Sequence, residues 1–467
     1  MAGHGKGSLW KHDARSFEVT GQREQPKEQK ASGRKSLETA REAAVIRRRY
    51  YARLSNPHMT GEFVAWAMWG YPEPIFEAMD TIGSFAENYG PVCAVKQVGD
   101  HFCEIAESDG FSIDICSYLR TSLGVAKVDH DTGKPDPKAP YGGMGKPKML
   151  IANAHRCDGR FKFLQQIARY YDAPFFAYDL LEWPDGWDEN DQALKKHFID
   201  HYTQQLRRLV AFMEKVTGKK MDKNRLSEAT RNYVESKKWF HEASELRRCR
   251  PNPLPAADTA AVYFPSMVQL CRPETVQFCK NVYDEVKGRV DNKIGSVPGE
   301  EKYRIMWHLQ IPWHTMDLLD WMADEFGASV MNDSYSGGEP PREELIDYDF
   351  PMESYARWKY DKGTSVGAMS FRRDKYDNIL DMIRRYQIHG VIAMLVASCR
   401  GTASMYHKWK RLDEEMRKAS LNIPTLGIEA DMVDSRAYSD RLIKDQIKAF
   451  METLDGARRE REGAPLH

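Results

Sequence analysis

Short, uninterrupted apolar runs alternate with longer amphipathic stretches along most of this chain. That rhythm restricts the fold more than any other feature. A strand apolar at every position is covered on both faces, and the segment after it has to return across the sheet, most simply as a helix. The pattern is clearest after residue 300. RIMWHLQIP reads as a strand, MDLLDWMADEFG as a helix closed by Gly327, and ASVMNDSYS as a second strand. After an irregular insert come the helix DKYDNILDMIRRYQIHG, the buried strand VIAMLVAS and a helix over residues 405–418. The strand PTLGIEAD and the helix SDRLIKDQIKAFMETL complete the series. These residues predict a doubly wound, mostly parallel sheet.

The earlier part of the chain carries the same rhythm less cleanly. Strands are predicted at VCAVKQVG near Val92, at SIDIC ending on Cys116, at MLIANAH from Met149 and at PFFAYDL from Pro174. DGRFKFLQQIARYY lies between the last two as a helix. Long helices are predicted over residues 189–248, followed by the Pro-rich punctuation of RPNPLPAADTAAVYFPS, a linker or domain boundary. SLETAREAAVIRRRYYARL opens a helix with Ser36 as its cap, and its arginines at 47–49 suit a solvated helix face better than a phosphate site. With 467 residues, two or three domains are expected. The divisions fall at 1–35 (a mobile tail that a partner subunit would order), 36–90 (helical), 91–249 (first α/β domain), 250–300 (linker and helices), 301–455 (second α/β domain) and 456–467 (tail).

Charge narrows the function classes. The 68 basic and 68 acidic residues cancel, which argues against a dedicated nucleic-acid binder and against a polybasic membrane anchor. No apolar run approaches the roughly 20 residues needed to cross a bilayer. The first residues, MAGHGKGSLWKHDARSFEVTG, lack the apolar core of a secretory signal, so a cytoplasmic location is expected. In a reducing compartment, the eight cysteines suit thiols or metal ligands better than disulfides.

Three of the eight stand at predicted strand ends, where parallel α/β sheets bind ligands. Cys116 closes FSIDIC, Cys157 follows MLIANAH and opens a helix, and Cys399 closes VIAMLVASC. Cys271 and Cys279 lie in a helical stretch, Cys249 in a basic loop, and Cys93 and Cys103 beside a strand-like segment. No CxxC pair is present, so neither a zinc ribbon nor a ferredoxin-type cluster is indicated. From spacing alone, inert thiols and metal ligands both remain open.

The blocks DICSYLRTSLG, MLIANAHRCDGRFKFLQQIARYYDAPFFAYDL, EKYRIMWHLQIPW with DEFGASVMNDSYS, VASCRGTASMYHKWKRLDEEM and IPTLGIEADMVDSRAYS occur in that order over residues 70–454. Together they resemble the 2-hydroxyacyl-CoA dehydratase/benzoyl-CoA reductase superfamily, most closely the larger cluster-bearing subunit of ATP-dependent benzoyl-CoA reductases. The resemblance implies two α/β domains with an iron–sulfur cluster between them. It also implies that Cys116, Cys157 and Cys399 ligate a single 4Fe–4S cubane, one iron being left without a protein thiolate. It further implies low-potential electron transfer to an acyl-CoA thioester, with ferredoxin as electron source. The expected partners are a homologous cluster-bearing subunit and an ATP-hydrolysing iron–sulfur activator. This sequence has no GxxxxGKS/T loop, so ATP is expected on the activator.

Two reactions compete within that resemblance: reduction of an aromatic ring, and loss of a 2-hydroxyl through a ketyl radical. A third reading is an electron-transfer or scaffold subunit. Trp307, His308, Trp313 and His314 at the end of one strand are candidates for an aromatic wall with a proton donor, which favours ring reduction. The same residue types also suit core packing. Glu429, with Asp431 close behind it, is a candidate acid/base group or turn cap. Ser398 is a candidate hydrogen-bond donor to cluster sulfur. Arg120, Arg156, Arg160 and Arg400 are candidates for CoA phosphates or for cluster charge.

Overall fold

Four short apolar runs build the first sheet: β1 (Phe63–Ala67), β2 (Thr81–Phe85), β3 (Met149–Asn153) and β4 (Phe175–Tyr178). They pair in parallel in the order β2-β1-β3-β4. The second sheet repeats this plan with β5 (Tyr303–Leu309), β6 (Ala328–Asn332), β7 (Gly390–Leu395) and β8 (Thr425–Glu429), ordered β6-β5-β7-β8 and again parallel. The computed structural model describes residues 31–463 apart from 69, 154–156, 182–187, 189–190, 333–341, 361–372 and 400–401.

Helices α1 (Glu38–Ser55), α2 (Glu73–Ala78), α3 (Ala86–Val95), α4 (Gly99–Ser108), α5 (Ser117–Thr132) and α6 (Asp158–Tyr171) precede or interleave the first four strands. Next come α7 (Gln192–Thr217), α8 (Lys223–Glu245), α9 (Ala256–Tyr263) and α10 (Pro273–Asp291). The second sheet is interleaved with α11 (Asp317–Phe326), α12 (Pro351–Lys359), α13 (Arg373–Arg385), α14 (Thr402–Lys418) and α15 (Asp440–Gly463). Among the described residues no helix is long and apolar enough to cross a membrane.

Successive side chains of a strand face opposite ways, so an all-apolar strand needs two cores. In β5, Ile305 and Trp307 pack with Leu319 and Met322 of α11 and Ile443 and Ile447 of α15. Met306, between them, packs with Ile379 and Ile383 of α13 and Leu412 and Met416 of α14. The second sheet is therefore covered on both faces, as its sequence predicts. α11 stops where expected, at Gly327 with φ +61°, a conformation that favours glycine. Helices α1, α8, α9 and α10 share a separate core that includes Leu37, Phe240, Val262 and Phe278.

The first half differs from its predicted elements. The strand predicted near Val92 is helix α3, and SIDIC is a turn rather than a strand. Buried residues recur all round α3, including Tyr89, Gly90, Cys93 and Ala94, so the helix lacks the polar stripe by which a helix is recognised. The first two strands, FVAWA and TIGSF, lie within the stretch predicted to be helical. Residues 31–35 of the predicted tail are packed: Ala31 is buried, the Met316 N–H donates to Ala31 O, and Arg34 pairs with Asp324 of α11. Within the Pro-rich segment, Asn252 donates to Ser329 in β6, and Asp258 accepts from the Ser36 and Leu37 N–H groups. At the other end, α15 continues to Gly463, through eight residues predicted to be tail.

Candidate active site

In a sheet ordered 2-1-3-4 the chain winds away from the β1–β3 junction in both directions, leaving a crevice beyond the carboxyl ends of those two strands. Cys157 lies four residues beyond the end of β3, and Cys399 lies four residues beyond the end of β7, the equivalent strand of the second sheet. The two thiols thus occupy matching positions in the two halves. Cys116 arrives differently, as the N-cap of α5, after a turn. The strand-end argument therefore holds for two of the three cysteines and fails for Cys116.

Two of the three sulfurs, those of Cys116 and Cys157, stand at helix N-termini. The backbone N–H groups of Tyr118 and Leu119, at the start of α5, act to lower the pKa of the Cys116 thiol. Burial nevertheless pushes its thiol well above the usual range, with Cys399 and Asp431 adding to the rise. Cys157 is the N-cap residue of α6.

Arg160 unites the three. Burial opposes the charge on its guanidinium, yet Glu87 and the nearby thiols of Cys157, Cys116 and Cys399 together hold its pKa above the ordinary arginine value. Nε pairs with Glu87, which opens α3 beyond the end of β2. Nη1 is buried and has no hydrogen-bond partner among the described residues. Such an unmet donor costs about 1–3 kcal/mol, so an anionic acceptor beside the thiols would be favoured. Glu87 is not a candidate from sequence, because the strand that delivers it lies in a stretch that reads as helix.

Among the described residues no three His, Cys, Asp or Glu side chains stand close enough to hold one metal ion. A cubane spreads its thiolates more widely than a single ion does. Its net negative charge suits an arginine within reach of every ligand. The donor set and the orphaned Nη1 therefore fit a cluster of the kind the sequence suggests.

The remaining candidates fall in several places. Ser398 donates to the Asp431 carboxylate, which also accepts from the N–H groups of Val433 and Asp434. Asp431 is buried beside this site, while Glu429 is exposed at the end of β8. Arg120 is buried, with Nε on Ile115 O and Nη1 on Glu107 and Asp434, so these donors are not turned outward to a phosphate. Arg156 and Arg400 lie outside the described residues. Trp307 is fully buried and donates to Gln310 O, and Trp313 donates to Tyr118 OH. His308 is buried in β5. His314 bonds the Asp431 carbonyl, and burial lowers its pKa below the ordinary histidine value. The tryptophans are core residues more than a wall.

Comparison with known proteins bears on what this cleft does. The sequence pattern of the 2-hydroxyglutaryl-CoA dehydratase D-component family matches residues 68–454. The chain belongs to that family. Its relatives include the (R)-2-hydroxyisocaproyl-CoA dehydratase alpha subunit of Clostridioides difficile, 23% identical over 407 residues, 87% of this chain and 93% of that protein. The (R)-phenyllactyl-CoA dehydratase alpha subunit of Clostridium sporogenes is 23% identical over 398 residues, 84% of this chain and 90% of that protein. A benzoyl-CoA reductase subunit of Thauera aromatica is 21% identical over 464 residues, 93% of this chain and 99% of that protein. Family members with such names are subunits of enzymes, and the matched span here contains strands β2 to β8 and all three candidate cysteines.

Proposed function

We propose that this chain is the cluster-bearing subunit of an ATP-dependent aryl-CoA reductase, with Cys116, Cys157 and Cys399 as ligands of one 4Fe–4S cluster. The observation that carries this reading is the half-buried Arg160, whose charge interacts with all three thiols while its buried Nη1 has no partner among the described residues. Once bound, a cluster with three protein thiolates supplies low-potential electrons and one iron free of protein sulfur.

The chain's own residues do the rest. Arg160 offsets the negative charge gathered at the thiolates, and Glu87 holds its guanidinium in place. The N–H groups of Tyr118 and Leu119 stabilise sulfur at Cys116. Asp431 fixes the hydroxyl of Ser398 beside Cys399. His314 is neutral near pH 7, so its ring holds the 431 turn through the Asp431 carbonyl and does not store a proton there.

Ring reduction is favoured by the alignment with the Thauera benzoyl-CoA reductase subunit, which spans nearly the whole of both chains. A dehydratase role is the second reading, favoured by the slightly higher identity to two dehydratase alpha subunits. Either reading implies an acyl-CoA substrate, a homologous second subunit, ferredoxin and an ATP-hydrolysing activator, all in the cytoplasm. Anoxic reconstitution followed by iron and sulfide analysis tests the cluster. Iron-free protein after reconstitution, or unchanged iron when the three cysteines are replaced by serine, would defeat it.

A further inference from the structure

A hydrogen-bonded path runs from the residue before Cys116 to the residue before Cys399. It begins at the Ile115 carbonyl, which accepts from Arg120 Nε at 3.0 Å. Arg120 is 1% exposed, and its Nη1 reaches from the first α/β unit to Asp434 Oδ2 in the second, at 2.8 Å, with Glu107 as an additional acceptor. The Asp434 N–H donates to Asp431 Oδ1 at 3.0 Å. The other oxygen of Asp431 accepts from Ser398 Oγ. Residues 115 and 398 are thereby joined through three charged side chains, from the first α/β unit to the second.

The packing around this path leaves little slack. A Cβ on Gly99, at the start of α4, would meet Val433 Cγ1 at 2.6 Å, so the turn at 431–434 lies directly against the first unit. Docking alone does not explain why the contact is ionic. Burying charges costs several kcal/mol for each ion, and apolar residues of the same volume often dock surfaces at least as firmly. Charge-assisted hydrogen bonds add a fixed distance and direction. Two other contacts between the units lie away from both cysteines: Ser435 N–H donates to Asp100 at 2.7 Å, and Gln97 donates to His314 O at 2.9 Å.

We propose that Arg120, Asp434, Asp431 and Ser398 form a positioning brace that fixes the separation of Cys116 and Cys399 across the cleft. The proposal rests on the reading of those cysteines as cluster ligands. Arg120 and Ser398 are positioning residues in it, acting through the backbone beside each thiol. A site held at its span before iron enters loses less order on assembly, and afterwards resists the opening by which iron escapes.

The test uses the full chain, reconstituted without oxygen, and follows iron release to a chelator together with the EPR spectrum of the reduced protein. Ser398→Ala and Arg120→Lys are compared with wild type, with Ser398→Thr as rescue and Ser435→Ala as the docking control. Ser398→Ala is expected to keep the wild-type circular dichroism and iron content, to release iron about tenfold faster and to shift or broaden the EPR lines. Arg120→Lys, at the far end, is expected to do the same, Ser398→Thr to restore wild-type release, and Ser435→Ala to leave it unchanged. Wild-type release and spectrum in Ser398→Ala would overturn the brace, as would a folded Arg120→Lys that behaves as wild type. Equal acceleration by Ser435→Ala would reduce the effect to general loosening and overturn it too. A wild-type chain that takes up no iron would instead overturn the cluster reading, and the brace with it.

Discussion

Arg160 illustrates how a single side chain gives meaning to residues far apart in sequence, because its environment names Glu87, Cys116, Cys157 and Cys399 together. Each of the three Cys→Ser variants is expected to lose most of the iron, about four atoms per cluster, while keeping wild-type circular dichroism. Cys279→Ser, buried in the separate helical core, should lose none. Iron analysis after anoxic reconstitution checks both. A second prediction concerns Glu62, which accepts from Arg53 and from Arg272 Nη2, the latter at 2.7 Å. Burial works to raise its pKa, but the two guanidinium groups prevail and hold the carboxyl below the usual glutamate value. A depressed carboxyl contributes stability above its unfolded value, about 4.3, and loses that contribution as pH falls through the lower folded value. Glu62→Gln should therefore cost about 1.5–3 kcal/mol at pH 7, and the gap should close toward pH 3. Denaturant unfolding at the two pH values measures it.

At the scale of elements, what is legible in the sequence depends on how strands and helices are covered. β5 to β8 can be located because each is a continuous apolar run between helices of strong amphipathic period, and Gly327 marks a helix end by its left-handed backbone. β1 and β2 are five-residue runs whose neighbours include the all-round buried α3, so neither period stands out there. The same blindness hides Glu87 and turns the bend before Cys116 into a predicted strand, although the cysteine itself remains a candidate through its place before a helix. Asp431 outweighs Glu429 at this site for a reason no pattern carries: the strand end turns one carboxylate inward and leaves the other in solvent. Contact between helices also sets a limit on substitution. A Cβ on Gly124 of α5 would stand 2.0 Å from Phe102 O in α4, with backbone on both sides and no flexible side chain to yield. Gly124→Ala should therefore destabilise by about 1–3 kcal/mol or more, as overpacking does, despite the better helix propensity of alanine. Thermal unfolding reads the loss, and an unchanged midpoint would mean that the helices separate without cost.

The whole molecule carries two sheets wound alike, and the reaction follows from which substrate the site at their strand ends admits. The aromatic wall read from the sequence does not supply the choice of substrate, because Trp307 and Trp313 spend their N–H groups inside the core, on Gln310 and Tyr118. What favours ring reduction is instead the reach of the likeness to the Thauera benzoyl-CoA reductase subunit, extending over 93% of this chain. A reductase has to deliver electrons repeatedly to a ring and so consumes ATP and reductant in step with product. A dehydration that returns its electron needs only a small priming amount. With the homologous second subunit, the activator, ATP and a strong reductant supplied, benzoyl-CoA should be converted to a dearomatised thioester with ATP hydrolysed in proportion to product. A 2-hydroxyacyl-CoA should be turned over at least about tenfold more slowly, a discrimination of about 1.4 kcal/mol. Rapid dehydration with ATP use far below product formation, and an intact aromatic ring in the parallel assay, would make the chain a dehydratase subunit. The three cysteines, Arg160 and the cluster would keep the same roles in that case, and only the fate of the electron would differ.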